Sequence, residues 1–333
     1  MTGTSSTEHG PAIRTEGLTR RFTRREGLKR VTLTAVDDLT VTVDRGESVG
    51  YIGANGAGKS TTIKMLVGIL VPTSGTATTL GRAPLRERVA LVRQVGVVFG
   101  QRSQLWWDLP VAESFRILAA VHELSADDER SRTEELREQL ELGPFWTTPV
   151  RQLSLGQRMR AEVAAALLHR PRLVILDEPT IGLDVVSKQR LREFLVAERT
   201  EHGTTLLLTT HDMGDVQRLC PRVLVVDHGR LAYDGSLEGL SRLVGAQRVL
   251  VVDLDEPAGD LVGIPHTNHL GSEAGGLRQR LAVDSDATTV AAVLAAVTDR
   301  VAVRDLAVEE PDIEDVVRRL YSAQRDPTPP PSY

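Results

Sequence analysis

The residues best suited to chemistry in this chain form one run, Gly53-Ala54-Asn55-Gly56-Ala57-Gly58-Lys59-Ser60-Thr61. Glycines at this spacing allow a tight loop whose backbone N–H groups turn inward and cradle phosphate. Lys59 then reaches the β- and γ-phosphates of a nucleotide, and Ser60 holds magnesium through its hydroxyl. A helix opening at the lysine adds a favourable potential for the anion. A second constellation is Asp177-Glu178, two carboxylates that close the wholly apolar run Leu173 to Leu176. A third is His211, which follows Thr209-Thr210.

The elements around these residues have to deliver them to one place. The apolar run Val49 to Ile52 predicts a strand that leads into the glycine loop. The spacing of Ile63, Leu66, Val67 and Leu70 predicts a helix over Thr61–Leu70, stopped by Pro72 and Gly75. Leu173–Leu176 reads as a buried parallel strand, whose C-terminal edge faces the crevice where open α/β sheets bind ligands. Strands are also expected at Val92–Phe99, Thr204–Thr209 and Val223–Val226, and helices at Val111–Leu124, Asp128–Leu142, Ser187–Glu201 and Met213–Leu219. Ser154 can cap a helix that runs through Met159, Val163 and Leu167 to His169. Ahead of the glycine loop, Ile13–Phe22 and Val31–Val43 read as an antiparallel pair.

Past about Leu240 the pattern changes to a small α+β segment. Strands are expected at Val249–Leu254, Arg278–Val283 and Arg300–Val308, and helices at Thr288–Val297 and Asp312–Tyr321. His266 and His269 lack acidic or cysteine companions and read as loop residues rather than metal ligands. Disorder is expected for residues 1–11 and for the proline-rich tail 323–333.

The chain has 333 residues, 41% of them hydrophobic, enough for one large domain and a smaller one. It contains no apolar run of about 18 residues, and its polar start lacks the core of a signal peptide, so a cytoplasmic location is expected. The single cysteine, Cys220, excludes an internal disulfide and reads as a small buried residue. A net charge of −5 argues against a nucleic-acid partner.

The order of the motifs is more informative than any one of them. A glycine loop, a loop glutamine, a serine-glycine-glutamine helix start, an apolar strand ending Asp-Glu and a late histidine together resemble the ATP-binding cassette family over about Ile13 to Leu240. The resemblance implies an α/β P-loop ATPase with a mixed sheet, an antiparallel β subdomain at the start of residues 12–240 and a helical insert at about 105–168. Residues 241–322 would be an appended α+β accessory domain. ATP and magnesium are the implied ligands.

Each family role falls on a residue of this chain. Phe22 matches the aromatic that stacks on adenine, and Gly53, Asn55, Gly56, Gly58, Lys59, Ser60 and Thr61 the phosphate loop. Gln101 matches the glutamine that touches magnesium and the attacking water, although Gly100 is inserted before it. Asp177 matches the magnesium-binding carboxylate, Glu178 the general base and His211 the γ-phosphate sensor. Leu153 to Gln157 matches a helix-start signature that is usually Leu-Ser-Gly-Gly-Gln. Leu155 replaces its first glycine, while Ser154, Gly156 and Gln157 are kept. Ile181-Gly182-Leu183-Asp184 matches the loop that crosses between two subunits.

That resemblance implies a head-to-tail dimer, with a second copy or a homologous subunit, and two ATP molecules held between P-loop and opposing signature. It also implies a membrane-spanning permease as partner. Leu105-Trp106-Trp107-Asp108-Leu109-Pro110 and the C-terminal segment are similar to drug-resistance and sodium-efflux type exporters, and most to viologen-exporter-type ATP-binding proteins. Trp106 and Trp107 are expected either to anchor a partner or to pack the helical insert onto the sheet. The competing readings are a soluble cassette ATPase acting on nucleic acid or the ribosome, and a cassette that binds without turnover. The first usually carries tandem cassettes, coiled coils or zinc modules. The second requires loss of Lys59, Asp177, Glu178 or His211, all of which are present.

Overall fold

A computed structural model describes residues 10–26, 29–100, 103–284, 287–309, 316–317 and 320. The chain divides into two compact units, Met1–Gly235 and Ser236–Tyr333. In the first unit the elements run β1 (Ile13–Glu26), β2 (Lys29–Val43), β3 (Ser48–Gly53), α1 (Lys59–Leu66), β4 (Ser74–Thr79), α2 (Arg88–Val92), β5 (Val95–Val98), α3 (Val111–Val121) and α4 (Ala126–Gln139). They continue with α5 (Leu155–Leu167), β6 (Leu173–Asp177), α6 (Val185–His202), β7 (Thr205–Thr209), α7 (Met213–Leu219), β8 (Arg222–Asp227) and β9 (Arg230–Gly235).

Two sheets organise this unit. The larger has the order β5-β6-β7-β3-β8-β9; its pairs are parallel except β8 with β9. The smaller, β2-β1-β4, is antiparallel. Strand β6 is apolar throughout because Leu173, Val174, Ile175 and Leu176 are all buried, as a parallel strand covered on both faces requires. Burying each such side chain contributes on the order of 1.5 to 3 kcal/mol. Cys220 is buried beside β3, with its sulfur 3.8 Å from Ser48 Oγ, and burial pushes its pKa up to about 12.

Several boundaries depart from the sequence expectation. Helix α1 ends at Leu66 rather than Leu70, because Gly68 turns the chain at φ +72 and passes against Pro84, where a Cβ would lie 2.2 Å from the carbonyl oxygen. The apolar residues after Leu66 had extended the helical spacing without extending the helix. Strand β5 is shorter than the apolar run Val92–Phe99, and Val92 belongs to α2. Strand β4 is a short polar element recruited by pairing with β1, so no apolar alternation marks it, whereas β9 carries Leu231 and Tyr233 and pairs antiparallel with β8.

The second unit contains α8 (Leu237–Leu243), β10 (Arg248–Leu254), β11 (Thr267–Glu273), β12 (Arg278–Val283), α9 (Val290–Thr298) and β13 (Val303–Glu309). Its antiparallel sheet has the order β11-β12-β10-β13. Leu250, Val252, Leu281 and Val283 meet Val293 and Val297 in its core. His269, expected in a loop, lies on β11 opposite Leu281, and its Nε2 is 2.8 Å from Gln279 Oε1. Most of the helix expected over Asp312–Tyr321 lies outside the described residues, as do nearly all of the two segments expected to be disordered.

In the helical insert, the rings of His122 and His169 stack at 3.8 Å with their planes 7° apart. Neither nitrogen of His169 makes a hydrogen bond of ordinary geometry. Burial, and then the neighbouring His122, push the pKa of His169 down to about 3. As pH falls below about 6.5 the unfolded chain therefore takes up a proton that the folded chain refuses, and stability drops by up to about 1.4 kcal/mol per pH unit for one such group. His169→Phe should lose stability more shallowly than the parent between pH 6.5 and 5 by denaturant unfolding. Parallel slopes for the two proteins would contradict this account.

Candidate active site

The phosphate loop leaves β3 at Gly53 and enters α1 at Lys59. Gly58 caps α1 at φ +101, and a Cβ there would lie 2.2 Å from the carbonyl oxygen of Ala35 on β2. Only glycine satisfies both conditions. The buried Lys59 Nζ donates to the carbonyls of Gly53, at 2.5 Å, and Ala54, at 3.2 Å, so the ammonium curls back over the loop. Burial lowers its pKa, and the carboxylates of Glu178 and Asp177 oppose that shift. Ser60 is exposed at the second position of α1, followed by the half-buried Thr61.

Asp177 is the last residue of β6 and pairs with Thr209 on β7. The Thr209 hydroxyl donates to Asp177 Oδ1. Glu178 N donates to Thr209 O at 2.9 Å, which carries the pairing one residue past the strand. Glu178 then adopts φ +57, a left-handed conformation that costs a non-glycine residue about 1 to 2 kcal/mol. The Glu178 carboxylate accepts from His211 N at 3.3 Å, and its Oε1 lies 3.6 Å from His211 Nε2. In the Nε2–H tautomer, His211 also donates to Asn55 Oδ1 at 3.1 Å. One histidine thus links the phosphate loop to the strand-end carboxylate. Burial raises the pKa of Glu178; the His211 backbone N–H and imidazole oppose the shift, and Asp177 adds to it.

Residues that carry no motif hold this arrangement. The buried Asp215 accepts from Thr180 Oγ1 at 2.5 Å and from Arg192 Nε at 2.7 Å. Asp212 caps α7 and pairs with Lys188 at 2.5 Å, fixing the residue after His211. Thr209, Thr180, Lys188, Arg192 and Asp215 were not singled out from sequence, because their partners lie on other elements. Only Asp212 left a local trace, as an aspartate ahead of a helical pattern.

The remaining candidates lie elsewhere in the unit. Ser154 caps α5 by accepting from Gln157 N at 3.2 Å, and Gln157 Oε1 accepts from Ser154 N at 2.9 Å, a reciprocal capping box. Gly156 lies under the loop after β6, where its Cβ would be 2.7 Å from Gly182 O, and the Leu155 side chain packs on Gly182. Asp184 caps α6 through Ser187 N at 2.8 Å, and that bond lowers its pKa. Among the described residues no hydrogen bond links 154–157 to 53–61. Phe22 pairs with Leu33 on the small sheet, two residues from the Ala35 that meets Gly58, with the Arg20 guanidinium 4.6 Å from its ring. Gln101 lies outside the described residues; the neighbouring Gly100 passes Asp177, where a Cβ would be 3.2 Å from the carbonyl oxygen. The extra glycine relieves that close approach.

Comparison with known proteins accords with this geometry. Residues 36–181 match the family model described as ABC transporter. The Nod factor export ATP-binding protein I of Ralstonia nicotianae is 37% identical over 254 residues, covering 74% of each chain. This chain belongs to the ABC transporter family. The daunorubicin resistance ATP-binding protein DrrA3 of Streptomyces coeruleorubidus is 35% identical over 218 residues, 66% of this chain and 68% of that protein. A solved structure described as the ATP-binding subunit of an ABC transporter aligns with a TM-score of 0.63 at 28% identity, covering 71% of this chain and 94% of that one. The cassette is an ATPase with the expected mixed sheet and antiparallel subdomain. Among the described residues no helix is long and apolar enough to cross a membrane.

Asp215→Ala would remove the buried carboxylate that Arg192 meets most closely, leaving it only Asp212 at 3.5 Å, and would release the Thr180 hydroxyl. A loss of about 3 to 5 kcal/mol is expected in denaturant unfolding. A loss below about 1 kcal/mol would mean that this cluster does not hold the His211 loop.

Proposed function

We propose that the cassette is the ATP-hydrolysing subunit of an exporter, driven by head-to-tail pairing with a second copy or a homologous subunit. The convergence of Asn55, Glu178 and His211 at the ends of β3, β6 and β7 carries the hydrolytic part of this reading. Lys59 and the loop amides of Gly53 to Ser60 bind the phosphates, and Phe22 stacks on the base. Glu178 accepts the proton of the attacking water at its carboxylate, and its raised pKa brings it nearer working pH. His211 orients that carboxylate and faces the terminal phosphate.

The donor set fits magnesium: Ser60 has an exposed hydroxyl, and Asp177 is an acceptor held in place by Thr209. Magnesium, when bound, neutralises charge on the phosphate oxygens, and Ser60, Asp177 and the loop residue Gln101 are the proposed ligands. Ser154, Gly156 and Gln157 are proposed to meet the nucleotide of the facing subunit, with Asp184 on the crossing loop. The lack, among the described residues, of hydrogen bonds between this helix start and its own phosphate loop supports a site completed by a partner.

Export is supported by the Nod factor export relative. The partner would be a membrane-spanning permease that holds the cassette on the cytoplasmic face, and residues 241–322 would form an accessory domain. Trp107 is half exposed, with its ring 5.6 Å from the Arg158 guanidinium of α5, which suits an anchor for a permease segment beside the signature helix.

Glu178→Gln should lower turnover by about 100-fold or more while leaving ATP binding intact. Light scattering should then find a dimer that persists with ATP, and full hydrolysis by this variant would remove Glu178 as the base. Trp107→Ala should keep nucleotide binding but weaken co-purification with a polytopic membrane protein from detergent extracts. Recovery of ribosomes or nucleic acid instead would favour the soluble ATPase.

A further inference from the structure

Glu162 has no assigned part in the chemistry, yet it is a buried carboxylate about two turns into α5. Its Oε1 accepts from Ser103 Oγ, and its Oε2 accepts from Gln104 N at 3.1 Å. Its own carbonyl accepts from Gln104 Nε2 at 2.9 Å. Ser103 Oγ in turn accepts from Leu105 N at 3.1 Å. Among the described residues no cation lies at ion-pair distance from this carboxylate; Arg158 acts on it only from further away. A buried carboxyl group whose side-chain partners all lie on one loop fixes that loop, because withdrawing the loop would leave the carboxyl oxygens buried without partners.

The loop concerned connects β5 to α3, and of its described residues Gly100 lies beside the reacting carboxylates while Ser103 and Gln104 lie beside Glu162. On its near side, Gly100 approaches Asp177 O and Glu178 Cβ. On its far side, Ser103 and Gln104 are tied to Glu162. Helix α5 is itself seated on β5, where a Cβ at Gly96 would lie 2.1 Å from Ala166 O.

We propose that Glu162 is a positioning residue for ATP hydrolysis, anchoring the far side of the β5–α3 loop so that its near side is held against Asp177 and Glu178. This rests on the reading of Glu178 as the base. The role requires two acceptor or donor contacts in the right places rather than a negative charge. A glutamine can supply both, its carbonyl accepting from Gln104 N and its amide donating to Ser103 Oγ.

The test is steady-state ATP hydrolysis by the full chain. Glu162→Ala should lower kcat about tenfold with the KM for ATP within about twofold, while Glu162→Gln stays within about twofold of the parent in both. Ser103→Ala, which removes one donor at an exposed position, should lower kcat about threefold and provides the test if Glu162→Ala does not fold. Parental kcat in the alanine variants overturns the proposal. So does a glutamine variant as slow as Glu162→Ala, or a loss confined to KM. Glu178→Gln, assayed alongside, separates the two ideas: its full activity would remove the base assignment whatever Glu162 does.

Discussion

The register of β6 against β7 governs the chemistry of this cassette. Because Asp177 stands opposite Thr209, the Thr209 hydroxyl reaches the Asp177 carboxylate and the Thr209 carbonyl receives the N–H of Glu178. His211, two residues past Thr209, then falls beside the Glu178 side chain. A slip of one residue would reverse every side chain of β6 between the two faces of the sheet and separate the three groups. The apolar filling of both faces of β6 resists that slip, so the packing that stabilises the sheet also sets the positions of the ionisable groups.

The backbone at Glu178 shows how this arrangement is bounded. A left-handed glutamate persists only where its surroundings over-determine it. Here it is held by the Thr209 carbonyl on one side and by the backbone N–H and ring of His211 on the other. The His211 loop is fixed in turn by the pairs Asp212 with Lys188 and Asp215 with Arg192, which join α6 to α7. Strain at one residue is thus balanced by ionic contacts spread over two helices.

Much of this was legible in the sequence, for identifiable reasons. The glycine loop, the apolar strand ending in two carboxylates and the late histidine follow from local rules about turns and buried parallel strands, and their order brought the family into view. Elements made by pairing rather than by composition were not legible: β4 and β11 are polar strands that exist because β1 and β12 offer them edges. Nor were Asp215, Arg192 and Glu162: the Asp215–Arg192 pair spans 23 residues and the Glu162–Ser103 contact 59, and none of them carries a motif. The excess length expected for α1 came from apolar residues that pack after the helix has already turned.

Cys220 has a practical consequence. The chain's only thiol is enclosed beside β3, next to Ser48, with a pKa near 12, so almost none of it is thiolate at neutral pH and reagents in solution do not reach it. The native protein is therefore chemically silent toward maleimides and similar probes. A cysteine introduced at any exposed position would be labelled alone, which makes distance measurements by paired dyes or spin labels possible without first altering the parent sequence.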